Sequence, residues 1–480
     1  MKSQPVSNAV LDHMDKNRQK YVDELVEFLK IPSISTSPAY AADVRKAALW
    51  LLGHVERTGF KGRIYETQGH PVVYAELCPH KDAPTLLVYG HYDVQPPDPV
   101  DQWCSPPFSP VVRDGSIFAR GATDDKGQLL TYVNAIRSIL ETDGKLPINV
   151  KLVFEGEEEI GSENFLSFVS SHRELLKSDV IALSDGSKYN DDLPCICCGV
   201  RGLIYMQVEI DGPAHDAHSG IYGGALVNPA YALMHILSRL KDDNGKVLIP
   251  GFYDKARDIE AWERKEMASL PYDESEEKAR LGVEALVPEK GYTVQESTRA
   301  RPTLDINGLW GGFEGEGSKT IIPAHVGAKV SMRLVPDQDP EEIKKLFESY
   351  VKSLLIPGVK AKIFQVQGSA KGLVVPRESV AMEAAVRAIE FSFGRRPVII
   401  REGGSIGAVI TMKEELGVED ILMLGWGGPG DALHSPNEHF STESYHKGTV
   451  AVAALIYELA KSKKPVAPVN AIHDGKKANK

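Results

Sequence analysis

At 480 residues the chain exceeds an ordinary single domain and can bury a large core, so two domains are expected. A formal charge of −11 excludes the basic face that a nucleic-acid or anionic-membrane partner would need. Five cysteines (Cys78, Cys104, Cys195, Cys197, Cys198) are an odd, sparse set that fits a reducing, cytosolic compartment. The polar stretch from Met1 to Tyr21 lacks a signal-peptide core, and no apolar run is long enough to span a bilayer.

The chain opens with an amphipathic helix in which Val10, Met14, Tyr21, Leu25 and Phe28 share one side, and Ile31-Pro-Ser-Ile-Ser breaks it. A second helix is expected from about Ala42 to Arg57, then strands at Gly62 to Glu66, Val72 to Leu77 and Thr85 to Tyr89. The last strand feeds Gly90-His91-Tyr92-Asp93-Val94. A Pro-rich loop, Gln95 to Pro110, precedes Gly121-Ala-Thr-Asp124-Asp125-Lys-Gly and an apolar helix over about Leu129 to Leu140. Asn149 to Phe154 reads as a buried strand that runs into Glu155, Glu157, Glu158 and Glu159. Such a block of carboxylates repels itself, and a divalent cation is the natural charge to hold it together. Ser162 to Leu176 reads as helix and Val180 to Ser184 as a strand stopping at Asp185. Alternating strands and helices of this kind define an α/β sheet.

Cys195-Ile-Cys-Cys198 has a metal or redox spacing, but the segment from Cys195 to Ile210 looks extended. Residues three apart on a strand point to opposite faces, so the pattern is read as structural. After about Val208 the pattern changes to a turn-rich loop at Gly212 to Gly220, a helix at Pro229 to Leu240 and a charged helical region from Phe252 to Arg280. Strands at Thr303 to Leu309 and Ala328 to Val335, a helix at Glu341 to Leu354 and a strand at Lys360 to Gln365 follow. The α/β pattern resumes with a helix from Ser379 to Phe391, a strand from Pro397 to Arg401, a helix to Leu416, a strand from Asp420 to Leu424 and a last helix from Glu443 to Lys461. The expected organisation is a catalytic domain in two parts (1–207 and 375–462), an inserted smaller α+β lid and dimerisation domain (208–374), and a disordered tail (463–480).

His91, Glu158, Glu159, Asp185 and His434 all lie at or beyond the carboxyl ends of apolar strands, and Asp124 sits in the turn before a helix. In an open α/β sheet such positions gather on one edge, where ligands bind. Histidine and carboxylate donors without thiolates suit zinc, manganese or cobalt, and there are enough of them for two ions if one carboxylate bridges.

The segments Gly90-His-Tyr-Asp93-Val, Gly121-Ala-Thr-Asp124-Asp-Lys-Gly, Glu157-Glu158-Glu159-Ile-Gly-Ser and Ser184-Asp185 resemble the co-catalytic dinuclear metallopeptidases, which include carboxypeptidase G, aminoacylase and carnosinase. Asp216-Ala-His218-Ser-Gly, Gly317-Ser-Lys-Thr320, Met332-Arg333-Leu-Val-Pro, Arg401-Glu-Gly-Gly404-Ser405 and His434-Ser-Pro-Asn-Glu are similar to the cytosolic nonspecific dipeptidase and carnosinase branch. The resemblance implies a mixed-sheet zinc-peptidase-like fold, a homodimer and hydrolysis of small peptides with two metal ions per subunit. It implies that Asp124 bridges the metals, with His91 and Asp185 on one and Glu159 and His434 on the other. Asp93 would orient His91, and Glu158 would be the general base. The Asp124–Asp125 peptide would be cis. His218, Thr320, Arg333, Gly404 and Ser405 match substrate-binding positions, Arg333 for a terminal carboxylate and His218 for the oxyanion. Ala217, Gly407 and Pro436 depart from the branch's pattern and bear on substrate preference. The alternatives are an N-acyl amino acid hydrolase on the same scaffold and a non-catalytic binding protein, against which an intact Glu158 argues.

Overall fold

The computed structural model describes residues 4–366, 368–404 and 406–462. The expected tail, 463–480, and Ser405 lie outside the described residues. Among these, strands form a nine-stranded sheet in the order Lys61–Tyr65, Val72–Leu77, Asn149–Glu155, Thr85–His91, Val180–Ser187, Ile421–Gly427, Cys195–Val200 and Leu373–Val374, with Val398–Glu402 also pairing to Cys195–Val200. The four central strands are mutually parallel, so their carboxyl ends share one edge. Being covered on both faces, they are almost wholly buried, which is why they read as unbroken apolar runs.

The helix Lys126–Asp143 is buried along its length to Ile139 because it lies between the sheet and the helices Asn8–Leu29 and Thr442–Ala460. Ser7 and Ser441 cap the starts of those two helices through their side chains. A second, all-antiparallel sheet runs in the order Thr303–Gly311, His325–Leu334, Gly202–Asp211 and Lys360–Gln365. Its strand Gly202–Asp211 alternates buried and half-buried residues. The buried face meets the helices Pro229–Leu237 and Pro340–Ser353 in a core of its own. The segment between these sheets is continuous through Arg201, so Cys195 to Asp211 is two strands rather than one.

Several expected elements differ. The strand carrying Asp185 continues to Ser187, since its backbone keeps pairing with Ile421–Gly427. The helical stretch after Ser162 is broken at His172. A hairpin, Val111–Arg113 with Ser116–Phe118, was not expected. It turns on Asp114 and Gly115, both left-handed (φ 49° and 75°), and pairs with His439–Ser441. Cys195, Cys197 and Cys198 are buried free thiols, and burial raises the pKa of all three, so none is a ready thiolate.

Candidate metal centre

The parallel edge assembles the site because the chain delivers polar side chains there, from the strands that carry His91 and Asp185 and from the loops after the adjacent strands that carry Glu159 and His434. His91 ends its strand opposite Glu155, and Gly90 before it is required: a Cβ there would stand 2.8 Å from Asp125 Oδ2, the atom that accepts the His91 backbone N–H at 3.2 Å. His434 comes from the loop after Ile421–Gly427, where Ala432, His434 and Asn437 all take the left-handed backbone (φ 56°, 57° and 65°). Each such non-glycine residue costs on the order of 1–2 kcal/mol. The sharp turns aim the imidazole back at the sheet edge.

Asp124 stands between the two histidines. Its Oδ1 is 3.0 Å from His91 Nε2 and its Oδ2 is 2.9 Å from His434 Nε2. Asp185 Oδ1 lies 3.6 Å from His91 Nε2, and Glu159 Oε2 lies 3.3 Å from His434 Nε2. Two groups could hold a metal: His91, Asp185 and Asp125, and Asp124, Glu159 and His434, the donor atoms of each within 4.8 Å of one another. Asp125, to which the sequence reading gave no role, joins the first group. Asp124 belongs to the second group, and its Oδ1 faces His91 Nε2 of the first. The Asp124–Asp125 peptide is cis.

The donor set fits divalent cations. His91 is fully buried, and its Nδ1 faces the Asp93 carbonyl oxygen at 3.2 Å and Asp93 Oδ1 at 3.3 Å. Among the described residues its Nε2 has no hydrogen-bond partner of good geometry despite the two carboxylates nearby. Burial works against charging His91, but Asp124, Asp185 and Asp93 outweigh it and drive its pKa well above the ordinary range. Asp124 and Glu159 likewise lift His434 to about 10. In the absence of metal these carboxylates would therefore demand protons on both imidazoles. A cation would supply that charge and leave Nε2 of His91 a lone-pair donor. Burial lifts Asp185 to about 6, helped by Asp124 and Glu159.

Asp93 also holds the glutamates. Its two oxygens accept the backbone N–H groups of Glu158 and Glu159 at 3.2 and 3.1 Å. Gln95 Nε2 donates to Glu159 Oε2 at 2.8 Å and so fixes that carboxylate, a contact the sequence did not announce. Among the described residues Glu158 hydrogen-bonds through its backbone only. Burial raises its pKa, His91 opposes the shift and the neighbouring acids reinforce it. Glu155 and Glu157 are not part of the crowd: Tyr89 and Ser162 hydroxyls donate to Glu155, and the His70 N–H and the Asn164 amide to Glu157.

The expected substrate residues fall in two other places. His218 and Thr320 are exposed neighbours on the ribbon Ala217–His218 with Ile321–Ile322, where Ser219 N–H donates to the Thr320 carbonyl at 3.0 Å. No hydrogen bond or ion pair among the described residues joins them to the metal groups. His218 Nδ1 accepts the Gly220 N–H at 3.0 Å, so its Nε2 carries the hydrogen in the neutral ring. Arg333 is half-buried near the end of its strand, opposite Thr303 and Leu203, and burial lowers its pKa against the pull of Asp305. Gly404 accepts the Arg201 backbone N–H at 3.0 Å. Gly403 beside it must lack a side chain, since a Cβ would meet the Thr298 carbonyl at 2.5 Å.

A doubly covered α/β sheet whose parallel edge presents two adjacent histidine–carboxylate groups defines a metallohydrolase. Residues 87–458 match the family described as Peptidase family M20/M25/M40. The chain belongs to this family of peptidases. It is 30% identical over 463 residues to the Cys-Gly metallodipeptidase dug1 of Schizosaccharomyces pombe, covering 93% of this chain and 97% of that protein. Among solved structures it matches the M20 family metallo-carboxypeptidase Sso-CP2 from Sulfolobus solfataricus (TM-score 0.82, 33% identity, 92% and 99% of the two chains). Human carnosine dipeptidase 1 superposes equally well (TM-score 0.82, 28% identity, 94% and 98%).

Proposed function

We propose that the protein is a metal-dependent dipeptidase in which His91, Asp185 and Asp124 hold one divalent ion and Asp124, Glu159 and His434 the other. The observation that carries this reading is the Asp124 carboxylate, whose oxygens face His91 and His434 at 3.0 and 2.9 Å. Nitrogen and oxygen donors without thiolate favour zinc or manganese, with cobalt a workable substitute. Two such ions would acidify a water and polarise the scissile carbonyl. Glu158, held at its backbone by Asp93, takes the proton of that water and returns it to the leaving amine. Its upward-shifted pKa suits both transfers. Asp93 orients His91.

Arg333, with Gly404 and Ser405, binds the substrate's terminal carboxylate, and Thr320 supports the substrate beside His218. His218 donates from Nε2 to the developing oxyanion. Because His218 stands on an exposed ribbon, we assign it to the site of a second copy of the chain, with the insertion 208–374 as lid and dimerisation domain and a homodimer as the working unit. The five free thiols fit a reducing, cytoplasmic setting. No helix among the described residues is long and apolar enough to cross a membrane.

A panel of free dipeptides, N-acetyl amino acids and longer peptides tests the reading. Free dipeptides should be turned over best. N-acetyl amino acids as preferred substrates would support the deacylase alternative. The likeness to a metallo-carboxypeptidase adds a second: stepwise release of C-terminal residues from longer peptides in preference to dipeptides would assign that activity instead.

A further inference from the structure

The loop that carries His434 also carries Glu438, a residue with no part in the reaction proposed above. Its side chain is 0% exposed, and that of its partner Arg120 is 1% exposed. Glu438 Oε2 accepts Arg120 Nη1 at 2.8 Å and the Gly121 N–H at 2.9 Å. Its Oε1 accepts the N–H groups of Thr123 at 3.0 Å and Asp124 at 3.2 Å. Arg120 is held in turn by the Pro96 carbonyl at 3.1 Å, with the Trp103 ring 5.4 Å from its guanidinium carbon. Burial pushes the Glu438 carboxyl up to about 7, with Arg120 opposing the shift. All four of its contacts are donors, however, which a carboxylate satisfies fully and a carboxylic O–H cannot.

The two loops are joined again at Thr123, whose hydroxyl lies 2.9 Å from Asp431 Oδ2 and 2.8 Å from the His439 carbonyl. The turn bearing Asp124 is thus fastened at consecutive backbone positions to the loop bearing His434. We propose that Glu438 is a positioning residue for the dinuclear centre: by gathering the N–H groups of Gly121, Thr123 and Asp124 against Arg120, it sets where the Asp124 carboxylate stands between His91 and His434. The chemistry demands an acceptor-only side chain. Glutamine would turn an amide NH2 toward one of the two donor pairs, and aspartate would fall a methylene short while keeping the charge that Arg120 needs. Because the two oxygens of Asp124 face His91 of one group and His434 of the other, a displaced Asp124 weakens both ions together, which distinguishes position 438 from Glu159, whose carboxylate faces His434 alone of the two histidines.

This inference rests on the metal assignment made above, and its test separates the two. Metal affinity is measured on the full chain by chelator competition with zinc and with manganese, and circular dichroism reports the fold. The parent protein should bind two ions. Glu438→Gln should lose both in parallel, with affinity reduced about 10–100-fold, the size typical of residues that orient metal ligands. Glu438→Asp, which keeps the charge and guards against a glutamine variant that does not fold, should lose them in parallel to a smaller extent. Glu289→Gln, which weakens the half-buried Glu289–Arg301 pair in the inserted segment, serves as a control for lost stability and should leave metal affinity unchanged. A parent that binds no metal would overturn the metal assignment itself. A parent binding two ions, with folded Glu438 variants binding them as tightly or losing no more than Glu289→Gln, would overturn the positioning role alone.

Discussion

Asp93 and Glu158 are joined through the backbone: Asp93 Oδ1 accepts the Glu158 N–H at 3.2 Å while lying 3.3 Å from His91 Nδ1. One buried carboxylate therefore fixes both a metal-facing imidazole and the residue assigned as base. Asp93→Asn offers an amide NH2 where an acceptor is needed, either to the Glu158 and Glu159 N–H groups or to His91. The variant should bind metal about 10–100-fold more weakly, and saturating it with metal should restore only part of kcat because Glu158 stays displaced. Full recovery of kcat at saturating metal would show that Asp93 acts through His91 alone.

The helix Ala41–Glu56 carries an acid-sensitive group away from the active edge. His54 is 1% exposed, and burial with the nearby guanidinium of Arg137 depresses its pKa to about 3. Glu24 lies 3.8 Å away, but it accepts two hydrogen bonds from Arg137 and does not offset the shift. A histidine whose folded pKa is lowered leaves stability intact above its unfolded value, near 6.5. Below that pH the unfolded chain takes up the proton first and stability falls, until the folded pKa is reached. Between pH 6.5 and 4.5 this group should cost about 2–3 kcal/mol. Urea unfolding of the parent and of His54→Gln across that range checks it: the variant, though less stable at neutral pH, should show a flatter acid limb. Equal slopes would remove His54 from the acid response.

A guanidinium at Arg333 that holds the substrate's terminal carboxylate should discriminate against amides, since amidation leaves it without its counter-charge. Dipeptide amides should be cleaved at least about 100-fold less efficiently than the acids, and Arg333→Met should narrow that ratio chiefly by slowing the acids. Comparable kcat/KM for acids and amides in the parent would place the carboxylate elsewhere.

Sharing of His218 between subunits makes a prediction about mixtures. His218→Ala and Glu158→Ala chains should each be nearly inactive alone. Co-folded into heterodimers, they recover about one working site per dimer, because one site then combines an intact Glu158 from one chain with an intact His218 from the other. Verified heterodimers without activity would return His218 to its own chain.

The active edge was legible because the sheet is parallel and buried. Its strands are apolar runs, and the polar residues near their carboxyl ends, His91, Glu155 and Asp185, mark the active edge. What the sequence hid were the partners that sort these residues. Four clustered glutamates look alike until Tyr89, Ser162 and Asn164 are seen to occupy Glu155 and Glu157, leaving Glu158 and Glu159 at the edge. Gln95 carries no motif of its own, Asp125 stands in a motif that gave it no ligand role, and the bonds that give Glu438 a purpose run to residues more than 300 positions earlier. The hairpin at Asp114-Gly115 did have a signal, an Asp-Gly pair between two short β-branched runs, overshadowed by the proline-rich loop before it. His218 is the opposite case. Its motif is plain, yet among the described residues the fold joins it only to its own loop and ribbon.

The most direct test of the account compares the adjacent glutamates for metal and for turnover in the same preparations. Among the described residues Glu158 takes no hydrogen bond through its side chain and belongs to neither metal group, whereas Glu159 faces His434 at 3.3 Å. Glu158→Gln should keep two ions by elemental analysis and lose about 10²–10⁴-fold in kcat on a free dipeptide. Glu159→Gln should lose metal occupancy, with activity following it. Equal metal loss in both variants, or a Glu158→Gln enzyme that turns over near the parent rate with both ions bound, would contradict the assignment of Glu158 as base and Glu159 as ligand.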